Sequence, residues 1–330
     1  MKSDKIIKRI LAIVLSLSAF GMIIIPNVSS AAPYSVEKLP DTTVYNDFVV
    51  GPGKYQVEMR PGESKVVNLI VTNRLGKDKT FQIQTEDFTG SRDVEKTVVL
   101  LNGERGPYSL KDYLSMASTT VVIGHAERVT IPVTVSVPTD AQPCGLYGSV
   151  VISTVTTGTE QVPEGQSSIG TSPIVTRIGS LFFIRVAGEV KEELNLKKFS
   201  LRNEDTVIGS APVNFDILYE NNGTIHQNPS GYIRIKNIFG SEVGKVEVEP
   251  WFILPDSLRL REVSWDSAFL FGRYVATAEI NKGYDKQMDV ASVAFWVIPW
   301  KIILIAFIGL VIIVSIIRWL ASKVSFTIKK

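Results

Sequence analysis

The apolar segment near the C-terminus restricts the fold of this chain more than any other feature. Residues 302–317 contain only three residues other than Ile, Leu, Val and Phe, and their insertion into a bilayer is favourable by about 4–8 kcal/mol. Extended over Pro299–Leu320, a helix would be about 33 Å long, enough to cross a hydrocarbon core. A buried core helix is a poor alternative because no helical period leaves a polar face. The sequence therefore predicts a transmembrane helix over residues 298–320.

Aromatic and basic residues flank this segment as they flank membrane spans. Trp296 and Trp300 precede its apolar centre and Trp319 follows it, as expected for side chains at the lipid–water interface. Lys301 lies at the entry, whereas the exit is followed by a basic group of residues, Arg318, Lys323, Lys329 and Lys330. The positive-inside rule then predicts a basic cytoplasmic tail over residues 321–330.

Residues 1–32 have the three parts of a secretory signal. A basic region, Lys2–Arg9, precedes an apolar region, Ile10–Ile25, and the small residues Ser29–Ala32 offer a cleavage site. We expect a cleaved signal peptide, with an uncleaved signal anchor as the alternative because the apolar region is slightly long. Either way, we expect a single-pass cell-membrane protein whose large N-terminal region is extracytoplasmic.

Charge and residue content exclude several functional classes. The net charge is only +2 and the basic residues concentrate at the two ends, so the footprint of a nucleic-acid-binding protein is missing. The single cysteine, Cys144, cannot form an internal disulfide. His125 and His226 are far apart, and we expect each to be a loop or strand-end residue. No phosphate-binding, dinucleotide-binding or EF-hand motif is present. We predict no catalytic, cofactor-binding or metal-binding residues, no cofactor and no small-molecule substrate.

Alternating runs between the two ends predict strands. In Arg128–Val137, apolar and polar residues alternate over ten positions, the pattern of a half-buried strand. Pro132 lacks an N–H group and predicts an edge at that point. Ser109–Met116 is the exception, since Ser109 and Asp112 match the capping box of a short helix. We predict an Ig-like β-sandwich over residues 33–188, with further strands near residues 44–50, 55–59, 65–73, 80–88, 96–101, 146–156 and 174–186.

The pattern restarts at residue 189. Apolar side chains alternate over Val213–Glu220, and Asn222-Gly223 then predicts a tight hairpin turn. Further strands are predicted at residues 232–237, 245–249, 258–263, 274–280 and 292–297. The predicted fold class is all-β, with two tandem Ig-like β-sandwich domains, the second over residues 189–297, an N-terminal signal peptide and one C-terminal transmembrane helix.

Two segments are candidate binding regions. The polar stretch Thr156–Ser172 is long for a hairpin connection; a flexible excursion is the favoured interpretation and a binding loop the alternative. The second segment carries two tryptophans and two arginines, the composition of an interface hot spot. The favoured interpretation is nevertheless a core tryptophan with an edge strand whose arginines pair with acids, and contact with lipid headgroups before the span is a further alternative. Its candidate residues are Trp251, Arg259, Arg261 and Trp265.

Short motifs resemble known surface proteins. Phe48-Val49-Val50, the turn Met59–Ser64 and Val71-Thr72-Asn73 resemble the opening strands of bacterial Ig-like domains of the pilus-chaperone class. Leu146–Val150 and Phe271–Tyr274 resemble late strands of such domains. The whole plan of signal, two sandwiches, span and basic tail resembles the WxL-interacting-protein family of Gram-positive surface proteins. That resemblance implies a role in holding partner proteins at the peptidoglycan.

These observations favour a non-enzymatic, membrane-anchored extracytoplasmic protein that acts as a binding or assembly module at the bacterial cell envelope. The expected partner is an envelope protein or polymer. A membrane-tethered assembly chaperone for secreted or surface subunits is the alternative, motivated by the pilus-chaperone resemblance and by edge strands that could pair with a client. A hydrolase of envelope polymer ranks third, since it needs two carboxylates that converge in one cleft.

Overall fold

The described part of the chain is all-β apart from one α-helix and two three-residue 3₁₀ turns, as the alternating sequence pattern predicts. The computed structural model of the chain describes residues 34–40, 43–155, 175–268 and 270–323. The predicted signal, the polar stretch Thr156–Ser172 and all but the first three residues of the predicted tail lie outside the described residues. From Tyr34 onward the described residues belong to one compact unit.

Eleven described strands form a first β-sandwich. They are β1 Ser35–Lys38, β2 Phe48–Gly51, β3 Lys54–Met59, β4 Ser64–Asn73, β5 Lys79–Thr89, β6 Val99–Leu100, β7 Leu114–Met116, β8 Thr120–Ile123, β9 Glu127–Ser136, β10 Gly145–Thr154 and β11 Arg177–Val186. One sheet has the order β1-β9-β4-β2, with β7 also on β9; the other has the order β3-β11-β10-β5-β6, with β8 also on β5. All pairs are antiparallel except β3 with β11.

Eight described strands form a second sandwich. They are β12 Leu194–Leu201, β13 Val207–Ile208, β14 Val213–Asn221, β15 Ser230–Asn237, β16 Glu242–Val248, β17 Ser257–Trp265, β18 Gly272–Asn281 and β19 Met288–Val297. A sheet of order β12-β14-β17 packs against a sheet of order β13-β19-β18-β15-β16. The pair β13 and β19 is parallel.

The alternation in β9 shows why these residues form strands. Val129, Ile131, Val133 and Val135 are all buried and point into the core of the first sandwich, while the residues between them are half-buried. A period of two places every second side chain on one face, so this pattern buries one complete face of the strand. Pro132 does not interrupt the hydrogen bonding of the sheet. β4 pairs along one side of β9. On the other side the registers of β1 and β7 end at Thr130 and Val133, so neither strand pairs with Pro132.

The predicted helix over Ser109–Met116 is wrong. A three-residue 3₁₀ turn, Lys111–Tyr113, is followed directly by β7, which pairs with β9. The chain is extended from Leu114 because β7 pairs with β9. The turn before it is fixed by a distant residue: the buried carboxylate of Asp87 accepts hydrogen bonds from the backbone N–H groups of Leu110 and Lys111, at 3.0 and 2.9 Å. These bonds satisfy the groups that a capping side chain would otherwise satisfy.

The predicted hairpin at Asn222-Gly223 is also wrong, because β14 pairs with β12 and β17 and not with the next strand, β15. The buried side chain of Asn221 organises this loop instead. Its amide nitrogen donates to the carbonyls of Ile225 and Ile253, each at 2.8 Å, and its oxygen accepts the N–H of Gly223. Gly223 is required for close approach, since a Cβ there would lie 2.5 Å from the Lys191 carbonyl oxygen.

The C-terminal helix, Trp300–Lys323, follows β19 after two residues. Among the described residues it is the one helix long and apolar enough to cross a membrane, by length and composition, and none of its apolar stretch is buried against the rest of the protein. The connection is held in place, because the Ile298 N–H donates to the Ile208 carbonyl at 2.8 Å. A helix with apolar side chains on every face is suited to a lipid environment.

Candidate functional site

The strand β3 presents an unpaired edge. It ends its sheet and pairs only with β11 within the described part of the chain. Leu181 donates to the Gly53 carbonyl and Ala187 donates to the Met59 carbonyl. Bonding alternates along a strand in a parallel pair, so the odd-numbered residues of β3 bond to β11. The N–H and C=O groups of the even-numbered residues therefore face away from the sheet; these residues are Lys54, Gln56 and Glu58.

A cleft of about 490 Å³ lies beside this edge. Residues 56–58 of β3 and Arg185 of β11 form one wall, and residues 225–228 of the second sandwich, with Gly283, form the other. A further depression of about 600 Å³ is lined by Glu58–Glu63 and Ala187. The two depressions share Glu58, so they follow β3 and the turn after it.

The guanidinium in the cleft already has acidic partners. Arg185 lies 3.6 Å from the carboxylate of Glu58 and 3.2 Å from that of Glu192. Glu58 is the single carboxylate among the residues that line the cleft. The hydrolase hypothesis needs two, so its central requirement is not met by this cleft.

His226 lies in the second wall, and its burial and neighbours were not foreseen from the sequence. Its ring packs edge-on against Phe183, and its backbone N–H donates to the Tyr147 hydroxyl at 2.6 Å. Its Nδ1 also lies 3.3 Å from the same hydroxyl. Burial, followed by the charges of Lys54 and Arg185, lowers the pKa of His226 to about 4. The ring is therefore neutral near pH 7 and joins the two sandwiches as a polar member of an aromatic cluster.

Gln227 supplies an unused donor in the same wall. Its backbone is fixed by a two-way bridge with Ile253, at 3.0 and 2.8 Å. Its side chain is almost fully buried, yet its Nε2 atom makes no hydrogen bond with any described residue. Buried amide groups in proteins are nearly always bonded, so this donor is suited to an acceptor that enters the cleft.

Trp251 and Trp265, proposed from the sequence as hot-spot candidates, are both buried in the core of the second sandwich. Trp251 meets Tyr219 edge-on and Trp265 meets Tyr274 edge-on, with ring centroids 6.0 and 5.9 Å apart. Gly244 makes room for the second indole, since a Cβ there would lie 2.4 Å from its Nε1. Neither ring is presented to a partner in this arrangement.

Arg259 and Arg261, the other hot-spot candidates, lie on the same face of β17 as Trp265 because residues two apart share a face. The Arg259 guanidinium lies 5.2 Å from the ring centroid of Phe252, and burial, then the charge of Arg261, lowers its pKa. Arg261 lies 3.5 Å from the carboxylate of Glu249. Arg259 Nη1 and Arg261 Nε are buried without a hydrogen bond among the described residues. These arginines border the core and are separate from the cleft.

The predicted membrane-interface residues lie along the end of β19 and the helix. Trp296, Trp300, Arg318 and Trp319 are all exposed in the protein alone. Trp300 is placed against the second sandwich, because a Cβ on Gly209 would lie 3.4 Å from its indole. Their exposure leaves them accessible to lipid, which is the environment predicted for them.

Cys144 and the acidic residues in the described part of the chain form no reactive cluster. Burial raises the pKa of the Cys144 thiol, which is half-buried at the margin of the first core, and a raised pKa lowers reactivity. Glu86 pairs with Arg177, and Asp87 accepts three backbone N–H groups. In the described ranges, no three His, Cys, Asp or Glu side chains are grouped as a metal site.

No family model and no curated protein sequence matches the chain. Among solved structures it is similar to the class 5 fimbriae chaperone CfaA, with 13% identity, 77% of this chain and 100% of that chain covered, and a TM-score of 0.36. It is also similar to the E. coli chaperone DraB, with 12% identity, 76% and 96% covered, and a TM-score of 0.33. The chaperone–tip adhesion complex CsuC–CsuE of Acinetobacter baumannii gives 11% identity, 74% and 97% covered, and a TM-score of 0.34. The first and third of these are chaperones of fimbriae and of pili, and the resemblance of this sequence to the WxL-interacting-protein family stays a prediction.

Proposed function

We propose that this chain is a non-enzymatic, membrane-anchored module of the bacterial cell envelope that binds an extended segment of a partner protein along β3. The single observation that carries this proposal is the free polar edge of β3 at the wall of a cleft. Because the TM-scores above are low, the proposal rests on the geometry of this chain alone.

Strand addition is the binding mode that such an edge favours. An extended segment that pairs with a sheet edge gains main-chain hydrogen bonds, and pockets beside the edge select its side chains. Each bond contributes about 0.5–1.5 kcal/mol net, so a few bonds along β3 give a moderate affinity. The Glu58 carbonyl accepts a hydrogen bond from the Lys65 ammonium at 3.3 Å, and the backbone of a partner would compete with that bond.

The walls of the cleft favour a polypeptide over an apolar small molecule. Small-molecule pockets are lined mainly by hydrophobic and aromatic side chains, whereas this cleft is lined mainly by polar ones, Gln56, Glu58, Arg185, His226, Gln227 and Asn228. A peptide backbone supplies carbonyl groups at regular spacing, and the unused Nε2 of Gln227 can donate to one of them.

A pair of proline substitutions tests the mode of binding. Gln56→Pro removes an N–H group that faces the cleft, so it should block a partner while it changes the free energy of unfolding little. Tyr55→Pro, the comparison variant, removes an N–H group that bonds to β11 and a ring that packs against Phe182, and should destabilise the first sandwich by more than about 3 kcal/mol. If Gln56→Pro binds the partner as the native chain does, strand addition at β3 is excluded.

Photo-crosslinking on intact cells identifies the partner. A benzoylphenylalanine at Gln56 should capture one envelope protein, and the same residue at Val66, exposed on the outer face of β4, should not capture it. Capture of cell-wall polymer alone would show that the partner is a polymer and not a protein. Capture of a second copy of this chain would mean self-association through β3, and identical products at both positions would refute a site in the cleft.

A further inference from the structure

The end of the second sandwich nearest the C-terminal helix exposes apolar side chains. The turn between β15 and β16 carries Ile238 and Phe239, and Phe239 is 88% exposed. Phe271, just before β18, is also exposed, and its backbone is held at both its N–H and its carbonyl by the Tyr274 hydroxyl, each at 3.2 Å. Large apolar side chains exposed together at the tips of turns require a reason, since their exposure to water is unfavourable.

The strand registers place these side chains at one end of one sheet. Asn237 of β15 lies opposite Tyr274 of β18, and Gly272 of β18 lies opposite Val297 of β19. Neighbouring strands are about 4.8 Å apart, so the ends of these three strands are within about 10 Å of one another. Trp296, exposed on β19, belongs to the same end. We name this group of side chains the apolar rim: Ile238, Phe239, Phe271 and Trp296.

The helix leaves the sandwich from the same end. Only Ile298 and Pro299 separate β19 from the helix, and the first of them is bonded to β13. Trp300 opens the helix beside Gly209. With a connection this short and this constrained, the lipid that surrounds the start of the helix must also lie close to the end of the sandwich that carries the apolar rim.

Basic side chains lie next to the apolar rim. Lys236 precedes the turn, Arg273 follows Phe271, and Lys301 lies 5.8 Å from the Trp300 ring centroid. Nearby Glu242 is paired with Arg234 at 3.3 Å. Aromatic side chains with adjacent Lys and Arg are typical of the headgroup region, where rings enter the boundary and cations meet anionic lipid.

We propose that the apolar rim rests in the lipid–water interface of the membrane that the helix spans, so that the second sandwich is seated on the bilayer and not merely tethered to it. This inference rests on the membrane anchoring in the proposed function. It goes beyond that function because it assigns a lipid contact to turns that are distant in sequence from the helix.

Labelling of the full chain in phosphatidylcholine–phosphatidylglycerol vesicles tests the proposal. Phe239→Cys, in a Cys144→Ser background, carries an environment-sensitive dye, and spin-labelled lipids serve as quenchers. The matched control is Val290→Cys, since Val290 is 66% exposed on β19 but lies six residues from Trp296, about 20 Å along the strand. A third label at Ile308→Cys reports on the helix itself.

The dye at position 239 should show a blue-shifted emission and be quenched several-fold more strongly than the dye at 290. Equal quenching at 239 and 290, with strong quenching at 308, would refute the lipid contact of the apolar rim and would still support a membrane-spanning helix. Weak quenching at all three positions would overturn both. A shift at 239 that depends on protein concentration and not on lipid quenchers would assign the apolar rim to another protein copy, which also refutes the proposal.

Discussion

Replacement of Phe183 by alanine would test whether an aromatic cluster joins the two sandwiches. Phe183, on β11, is completely buried. Its ring centroid lies 5.3 Å from that of Phe88 and 5.7 Å from that of Tyr147 in the first sandwich. It lies 5.1 Å from that of His226 and 5.0 Å from that of Phe252 in the second. One side chain therefore contacts aromatic rings of both sandwiches.

The expected loss follows from this burial. Removal of a buried Phe side chain costs about 3–5 kcal/mol, the lost transfer free energy plus the cavity left behind. Aromatic ring pairs contribute about 0.5–1.5 kcal/mol each beyond area, and four neighbours, three of them edge-to-face and one tilted, are lost together. Phe183→Ala should therefore fall in the upper part of that range, and the weakened contact should let the sandwiches unfold separately.

Urea unfolding of the full chain in detergent micelles measures both effects. Circular dichroism reports on all strands, whereas tryptophan fluorescence reports on no residue of the first sandwich. Trp251 and Trp265 are buried in the second sandwich, and Trp296, Trp300 and Trp319 lie at the end of β19 and in the helix. Phe183→Ala should lower the fluorescence midpoint although residue 183 is in the first sandwich. The control Phe81→Ala removes an equally buried ring from the first core and should lower the circular-dichroism midpoint more than the fluorescence midpoint. A loss below about 1 kcal/mol for Phe183→Ala, or an unchanged fluorescence midpoint, would refute the coupling.

Three further predictions concern single buried contacts. Asp87→Asn weakens three hydrogen bonds from backbone N–H groups and should lower the free energy of unfolding by about 1–3 kcal/mol in urea titrations; an unchanged value would contradict that role. Burial lowers the pKa of His226 to about 4, below about 6.5 in the unfolded chain, so the unfolded chain binds this proton first and stability should fall by roughly 3 kcal/mol as the pH drops from about 6.5 to 4. His226→Gln should remove that part of the pH dependence, and an identical pH profile would be the contrary result. In Gly90→Ala the new Cβ would lie 2.4 Å from Ser257 Cβ in the second sandwich, and overpacking should lower the thermal midpoint by an amount equivalent to about 1–3 kcal/mol; a midpoint equal to that of the native chain would show that the contact gives way freely.

The fold class could be predicted because its signals are local. In β9 every second residue is apolar, and this alternation indicates a strand with one buried face. The apolar helix after residue 299 is likewise evident from composition alone. Strand β12 was missed for a local reason too: its register shifts between Leu196 and Lys198, and the bulge breaks the alternation.

The other errors and omissions arose where residues distant in sequence decide the structure. The predicted helix after Ser109 is replaced from Leu114 onward by the pairing of β7 with β9, whose residues lie 17 to 21 positions later. His226 is buried by Tyr147, which is 79 positions away in the chain. The free edge of β3 depends on which strand pairs beside it, and no local pattern reveals that partner. The residues of the cleft come from β3, β11 and the loops after β14 and β18, so spacing and motif arguments could not find them.

The charges around the cleft indicate how it would recognise a partner. Arg185 is balanced by Glu58 and Glu192, and His226 is neutral near pH 7 because burial lowers its pKa. The Lys54 ammonium is already placed over the rings of Phe183 and Phe252, 4.9 and 5.1 Å from their centroids. The groups left for a partner are the outward backbone groups of β3 and the amide of Gln227, none of which carries a net charge. Backbone groups are common to every sequence, so this edge would select an extended conformation first and side-chain identity second.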